Sequence, residues 1–307
     1  MNEIEMEYNK IKITTDQAEQ ICLDLFGIEG KAKPLPGEID FNFKINDTNG
    51  EEYILKISRP NEDEGYLDFQ QKLLQYVWDH GEGLVSPKVI SDVNGLSISE
   101  FKDANGQLRK VRLLSWISGR VWSTVNPQLD DLRYSLGEQA GKLTKALQGF
   151  DHDKAHRPLD WDVAQAAWTE AHIDLFIREE REIIMGFQEE FKIAQPTYSV
   201  LRKGVVHNDA NDNNVIVSSD LIGPKVVSAI DFGDAVYTQI INDLAIACAY
   251  TIMQYNDPLA AALPIVKGYH SAFSLSADEL GHLYNAIAMR LVISVTKSAI
   301  NKIKEPD

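Results

Sequence analysis

The chain has 307 residues, 44% of them apolar, enough to bury one large core or two medium ones. Its 46 acidic residues against 30 basic ones leave a formal charge of −16, which repels phosphate backbones and anionic lipid. Nucleic acid and membrane surfaces are therefore set aside as partners, and a small, cationic molecule is the partner that such a surface tolerates. The two cysteines, Cys22 and Cys248, lie in apolar helical stretches and read as buried free thiols. The opening MNEIEMEYNK lacks the basic and apolar regions of a signal peptide, and the longest apolar run, 244–253, is about half a membrane span. A cytoplasmic protein is expected.

In chain order, 15–26 has the spacing of an amphipathic helix, with Thr15 as its cap and Ala18, Ile21, Cys22 and Leu25 on the apolar side. Residues 41–45 and 53–57 alternate about the turn 46–50 and predict a hairpin, with Lys56 inside its second strand. A helix over 67–78 follows, ended by Gly81 and Gly83. A second hairpin spans 96–101 and 109–116. Beyond it the pattern turns helical at 129–150, 162–194, 239–255, 258–273 and 277–302. Short strand pieces at 205–206, 215–217 and 226–230 interrupt this half. The fold class is α+β: a small N-terminal lobe with an antiparallel sheet, residues 1–116, and a larger, mainly helical C-terminal lobe, residues 117–307. A ligand cleft between the two lobes is expected.

The stretch VVHNDANDNNVIV stands out, because six of the eight residues from His207 to Asn214 are Asn or Asp. Taken alone it reads equally well as an Asx-rich turn between strands. The third strand piece, however, runs into Asp231-Phe232-Gly233-Asp234. If the second and third pieces form a hairpin, Asn214 and Asp231 lie side by side and Asp209 faces the same spot. One amide oxygen and two carboxylates suit a hard divalent cation that shares its shell with water and phosphate. Phosphoryl transfer needs this arrangement, together with a carboxylate that takes the proton of the attacking hydroxyl.

HNDANDNN followed by AIDFGD resembles the H-x-D-x4-N and I-D-x-G signature of the aminoglycoside phosphotransferase and choline kinase family, distant relatives of protein kinases. YILKIS, VRLLSWISG and INDLAIACAY extend the likeness over most of the chain, and the ensemble looks closest to the hydroxylysine kinase-like branch. The resemblance implies a two-lobed protein-kinase-like fold and an ATP-dependent or GTP-dependent kinase that uses Mg2+. Its acceptor is the hydroxyl of a small metabolite, an amino alcohol or a hydroxy amino acid such as hydroxylysine. Residue by residue, it implies Asp209 as catalytic base, Asn214 and Asp231 as metal ligands, and Lys56 on the nucleotide phosphates. The hinge backbone around Leu114 and Trp116 receives adenine. His207 and Asp243 hold the loop, Asp243 either through backbone N–H groups or by capping its helix.

Two positions depart from the family pattern. The place of the acid that pairs the strand lysine holds Gln70, with Asp68 nearby, and the phosphate-covering loop PGEIDF carries one glycine, Gly37. The departure at Gln70 keeps a rival open, a catalytically silent nucleotide-binding module of the same fold; an aminoglycoside-modifying kinase uses the same site residues. Asp212 and Asp234 read first as turn formers. Arg157, Trp161, Asp162 and Arg290 read first as structural pairs and second as substrate contacts. His152 and His156 are spaced i, i+4 as a helical zinc pair would be, without a third ligand.

Overall fold

A computed structural model describes residues 12–37, 40–253 and 255–304. MNEIEMEYNK and the Glu38–Ile39 part of PGEIDF lie outside the described residues. The chain divides into two compact units: residues up to Gln75 with Pro87–Ile117, and Tyr76–Ser86 with Ser118–Asp307.

In the first unit, α1 (Thr15–Phe26) is capped by Thr14 and not by Thr15. The Thr14 hydroxyl accepts from the Gln17 N–H, and the Gln17 side chain accepts from the Thr14 N–H, satisfying donors that the helix itself leaves open. Gly27 ends the helix at φ 67°, a conformation that a side chain would strain. The sheet runs β1 (Gly30–Leu35), β2 (Phe41–Asp47), β3 (Glu52–Ile57), β6 (Leu108–Ser115), β4 (Val89–Ile90), with β5 (Ser99–Lys102) also on β6, and every pairing is antiparallel. Both hairpins form as the alternation predicts. The edge strand β1 escaped the sequence pattern because GKAKPL carries a proline and no apolar alternation.

Phe43, Ile45, Leu55, Ile57, Val111 and Leu113 point to one face and pack with Ala18, Ile21 and Cys22 of α1. Each such side chain contributes roughly 1.5–3 kcal/mol on burial. Period-2 alternation then puts Lys56 on the opposite face, in register with Asn42 and Arg112. Lys56 is accordingly half-buried, and not sunk in the core as its apolar neighbours suggest.

Helix α2 (Glu64–His80) begins earlier and runs longer than its apolar spacing, and its last residues, from Tyr76, belong to the second unit. After it, that helical unit is built on α3 (Asp130–Ala146), α4 (Arg178–Tyr198), α5 (Ile241–Ile252), α6 (Pro258–Ala272) and α7 (Ala277–Lys304). A Cβ on Gly137 would lie 1.8 Å from the Ile265 carbonyl oxygen, and one on Gly268 would lie 2.0 Å from that of Tyr134, so α3 and α6 touch backbone to backbone. The apolar α5 is sheathed by these helices, and Cys248 lies in that core. The segment 162–194 is not one helical run. A 3-10 stretch, Val163–Leu175, breaks before α4. Two small ribbons complete the unit: β7 (Arg120–Val121), β9 (Val215–Val217) and β10 (Val226–Ala229) in one, β8 (Lys203–Val206) and β11 (Val236–Gln239) in the other.

Candidate active site

The site grows out of those two ribbons. Strands β9 and β10 are antiparallel, and the Ile230 N–H donates to the Asn214 carbonyl at 2.8 Å, so the residues leading into β9 and leaving β10 are neighbours. That is the hairpin on which the sequence argument depended. The first piece, β8, pairs with β11 instead, a strand hidden in the sequence because VYTQ follows directly on the 3-10 turn Phe232–Asp234.

The loop from β8 to β9 is fixed from beneath. His207 is fully buried, donates through Nε2 to the Ile230 carbonyl at 3.1 Å, and accepts the Asp209 N–H at Nδ1 at 3.2 Å. These two bonds require the neutral ring, and burial pushes its pKa down to about 4. The ring also meets Phe232 edge-on at 4.5 Å. Asn208 takes φ 61°, which an asparagine tolerates, and its N–H donates to the Asp243 carboxylate at 2.9 Å. Asp243 on α5 thus has the first of its two expected roles, holding the loop through a backbone N–H. Burial raises its pKa to about 6.

Asp209 is pinned by side chains from three places. Asn214 Nδ2 donates to its Oδ2 at 2.6 Å and to its backbone oxygen at 3.1 Å. Asn211 Nδ2 donates to Oδ1 at 2.9 Å, and so does Arg290 Nη2 of α7 at 3.1 Å. Burial pushes the Asp209 pKa up to about 7; Arg290 pulls against this, and Asp234 and Asp231 add to the rise. Asp231 sits at φ 61°, the left-handed region that non-glycine residues rarely adopt, and its carboxylate accepts the Gly233 N–H at 3.3 Å. Arg157 braces the same turn by donating to the carbonyls of Gly233 at 3.0 Å and Ala235 at 3.2 Å.

The structure therefore brings Asp209, Asn214, Asp231 and Asp234 together in the helical unit. Asp212 serves the loop, its carbonyl accepting the Ser123 N–H. Asp162 is a buried hub that accepts from Ala164, Gln165 and Thr238. His152 and His156 do not form a helical zinc pair. They flank a single 3-10 turn, His156 bonds Asp151, and His152 accepts the Lys154 N–H.

The remaining expected residues belong to the first unit. Gln70 is buried, and its Oε1 accepts from Arg112 Nη1 at 2.6 Å, while Asp40 takes Arg112 Nη2 at 2.7 Å. Arg112 was passed over in the sequence; the signal available was a second basic residue, VRLL, on the strand next to YILK. Leu114 is paired within the sheet, opposite Ile54 and Val89, and the Trp116 N–H donates to the Glu52 carbonyl at 2.9 Å.

A model of the phosphotransferase enzyme family matches residues 31–274 of this chain. Hydroxylysine kinase of Danio rerio is 25% identical over 316 residues, covering 97% of this chain and 87% of the relative. Among solved structures, an amicoumacin kinase in complex with AMP-PNP and Ca2+ superposes with a TM-score of 0.74 at 17% identity, over 96% of this chain and 89% of that one. A microcompartment-associated aminopropanol kinase gives 0.66 at 16% identity, over 95% and 94%. At such identities these structures show a shared fold, the protein-kinase-like one.

Proposed function

This chain belongs to the phosphotransferase enzyme family and is a small-molecule kinase with a hydroxyl acceptor, and within that activity we propose that it moves the γ-phosphoryl group of ATP to an amino alcohol or hydroxy amino acid, hydroxylysine first among them. The observation that carries this reading is Asp209, a carboxylate with a pKa near neutrality, held at both oxygens on a loop braced by His207 and Asp243. A base matched to neutral pH is what proton transfer from an alcohol needs. Asp209 takes the proton of the acceptor hydroxyl, the freed oxygen attacks the γ-phosphorus, and the β–γ bridging oxygen leaves with the nucleoside diphosphate.

Lys56 grips the nucleotide phosphates, and the backbone around Leu114 and Trp116 receives the base. Gln70 acts one step back by fixing Arg112 beside Lys56 on the same face of the sheet. For the metal, Asn214 directs its amide nitrogen to Asp209, leaving Oδ1 with no partner among the described residues. Asp231 and Asp234 add negative charge beside Asp209. No three His, Cys, Asp or Glu side chains converge as a cage among the described residues; a hard divalent ion can take few protein ligands and complete its shell with phosphate and water. Asn214 and Asp231 are the residues that would hold Mg2+. When bound, the ion supplies positive charge that neutralises the phosphate oxygens. The acidic surface and the carboxylates at the site favour an acceptor carrying an amine.

The test is phosphoryl transfer from labelled ATP, with and without Mg2+, to a panel of hydroxylysine, homoserine, aminopropanol, choline and aminoglycosides. The reading predicts Mg2+-dependent transfer to an amino alcohol or hydroxy amino acid. Turnover confined to aminoglycosides, or none with any acceptor, contradicts it.

A further inference from the structure

Arg290 lies on α7, 81 residues beyond Asp209, and belongs to none of the motifs that locate the site. Its side chain is 1% exposed. Nη1 donates to the Trp161 carbonyl at 2.7 Å, and the guanidinium lies over the rings of Trp161 at 4.7 Å and Tyr250 at 5.5 Å. Three contacts from two other segments thus leave the fork one orientation, with Nη2 on Asp209 Oδ1. Its Nε is buried without a partner among the described residues, as is that of Arg112.

The consequence lies in how the two Asp209 oxygens are used. Oδ1 receives both Arg290 and Asn211, so its in-plane lone pairs are occupied, whereas Oδ2 receives Asn214 alone. We propose that Arg290 is the positioning residue of the reaction: by saturating Oδ1 it locks the carboxylate rotamer and leaves Oδ2 as the oxygen that accepts the acceptor's proton. This rests on Asp209 being the base. Without Arg290 the carboxylate turns about its Cβ–Cγ bond, and the fraction of bound acceptors within reach of a lone pair falls. Nucleotide binding does not depend on this contact.

The test is a double-mutant cycle of Arg290→Met and Asp209→Asn, read as kcat and KM for both substrates, with Arg290→Lys as the conservative variant. Misplacing a catalytic group by about 1 Å costs about 10²-fold, so R290M should lower kcat by about that factor with the nucleotide KM unchanged. R290K, which keeps the charge but cannot span Trp161 and Asp209 together, should recover part of the loss. In the D209N background R290M should cost little more, because a residue acting only through Asp209 has nothing left to position. Equal losses in both backgrounds, or wild-type kcat in R290M, overturn the proposal. Wild-type kcat in D209N alone strikes instead at Asp209 as base. Should R290M fail to fold, Asn211→Ala removes the other donor to Oδ1. It should lower kcat and lose that effect in D209N, and additivity there counts against the proposal equally.

Discussion

Arg112 and Arg290 are both almost sealed from solvent and both hold a carboxylate, yet their surroundings differ in charge balance. Around Arg112 the account closes: one guanidinium, one carboxylate from Asp40, one neutral amide from Gln70. Its strand neighbour Arg109 is matched by Asp103 in the same way, both fully buried. Around Asp209, burial is the main cause of its raised pKa; Arg290 lowers it, and Asp234 and Asp231 add to the rise. The three carboxylates share the site with two guanidiniums, Arg290 and the Arg157 that donates to the Gly233 and Ala235 carbonyls. A closed network holds a sheet together. A network left negative gains from a cation that arrives with the substrate, and that is the difference expected between a scaffold and a reaction site.

Removing groups from each side sharpens this contrast. The largest effect is expected at the open network: Asp209→Asn should lower kcat by ~10²–10⁴ while nucleotide affinity stays within about threefold. Turnover at the wild-type rate, measured with the preferred acceptor, breaks the assignment. At the closed network the loss should appear as stability. Arg112→Met strands the Asp40 carboxylate, only 12% exposed, and should cost about 3 kcal/mol in urea unfolding. A cost below about 1 kcal/mol would mean that Arg112 is not structural.

The acid response of the loop comes next. His207 is held neutral, with its folded pKa near 4 against an ordinary 6.5. Its contribution is complete above pH 6.5 and is lost as pH falls towards 4, up to about 3 kcal/mol. Asp243 acts in the opposite sense: its folded pKa is raised to about 6, so its contribution is complete below the ordinary carboxylate range and is lost as pH rises through 6. Between pH 6 and 4 the two oppose. Asp209, with its folded pKa raised to about 7, acts in the same sense as Asp243, so the wild type already gains stability on acidification from pH 6 to 5. His207→Gln keeps a donor for the Ile230 carbonyl and removes the opposing His207 slope, so the variant should gain more over that range. Parallel pH profiles would contradict the neutral buried ring. The smallest effect is expected for Gln70→Glu, which adds a charge where Arg112 is already neutralised. Stability should move by about 1 kcal/mol or less, and a tenfold change in nucleotide KM would show that the Lys56 face was not balanced.

Much of this was legible in the sequence. The two hairpins, α1 and the β9–β10 pairing follow from alternation and turn residues, and that pairing puts Asn214 beside Asp231. What stayed hidden was set by contacts distant in sequence. Strand β1 depends on β2 for its register, β11 on β8, and the break before α4 on packing that helical periodicity does not encode. Arg290 and Arg157 read from the sequence as structural pairs or substrate contacts, but their partners stayed hidden, because these are carbonyls and a carboxylate reached across 76 to 129 residues of chain. The swap of Gln70 for an acid was plain from the start. That Arg112 is the group it meets depended on side-chain geometry.

The central claim, that the Asp209 region carries negative charge awaiting a cation brought with the nucleotide, is tested most directly by calorimetry. A non-hydrolysable ATP analogue is titrated into wild type and Asp231→Ala, each with and without Mg2+. Binding that strengthens with Mg2+ in the wild type and loses that gain in D231A is the predicted result. Equal affinity in both proteins, whether or not Mg2+ is present, would contradict it.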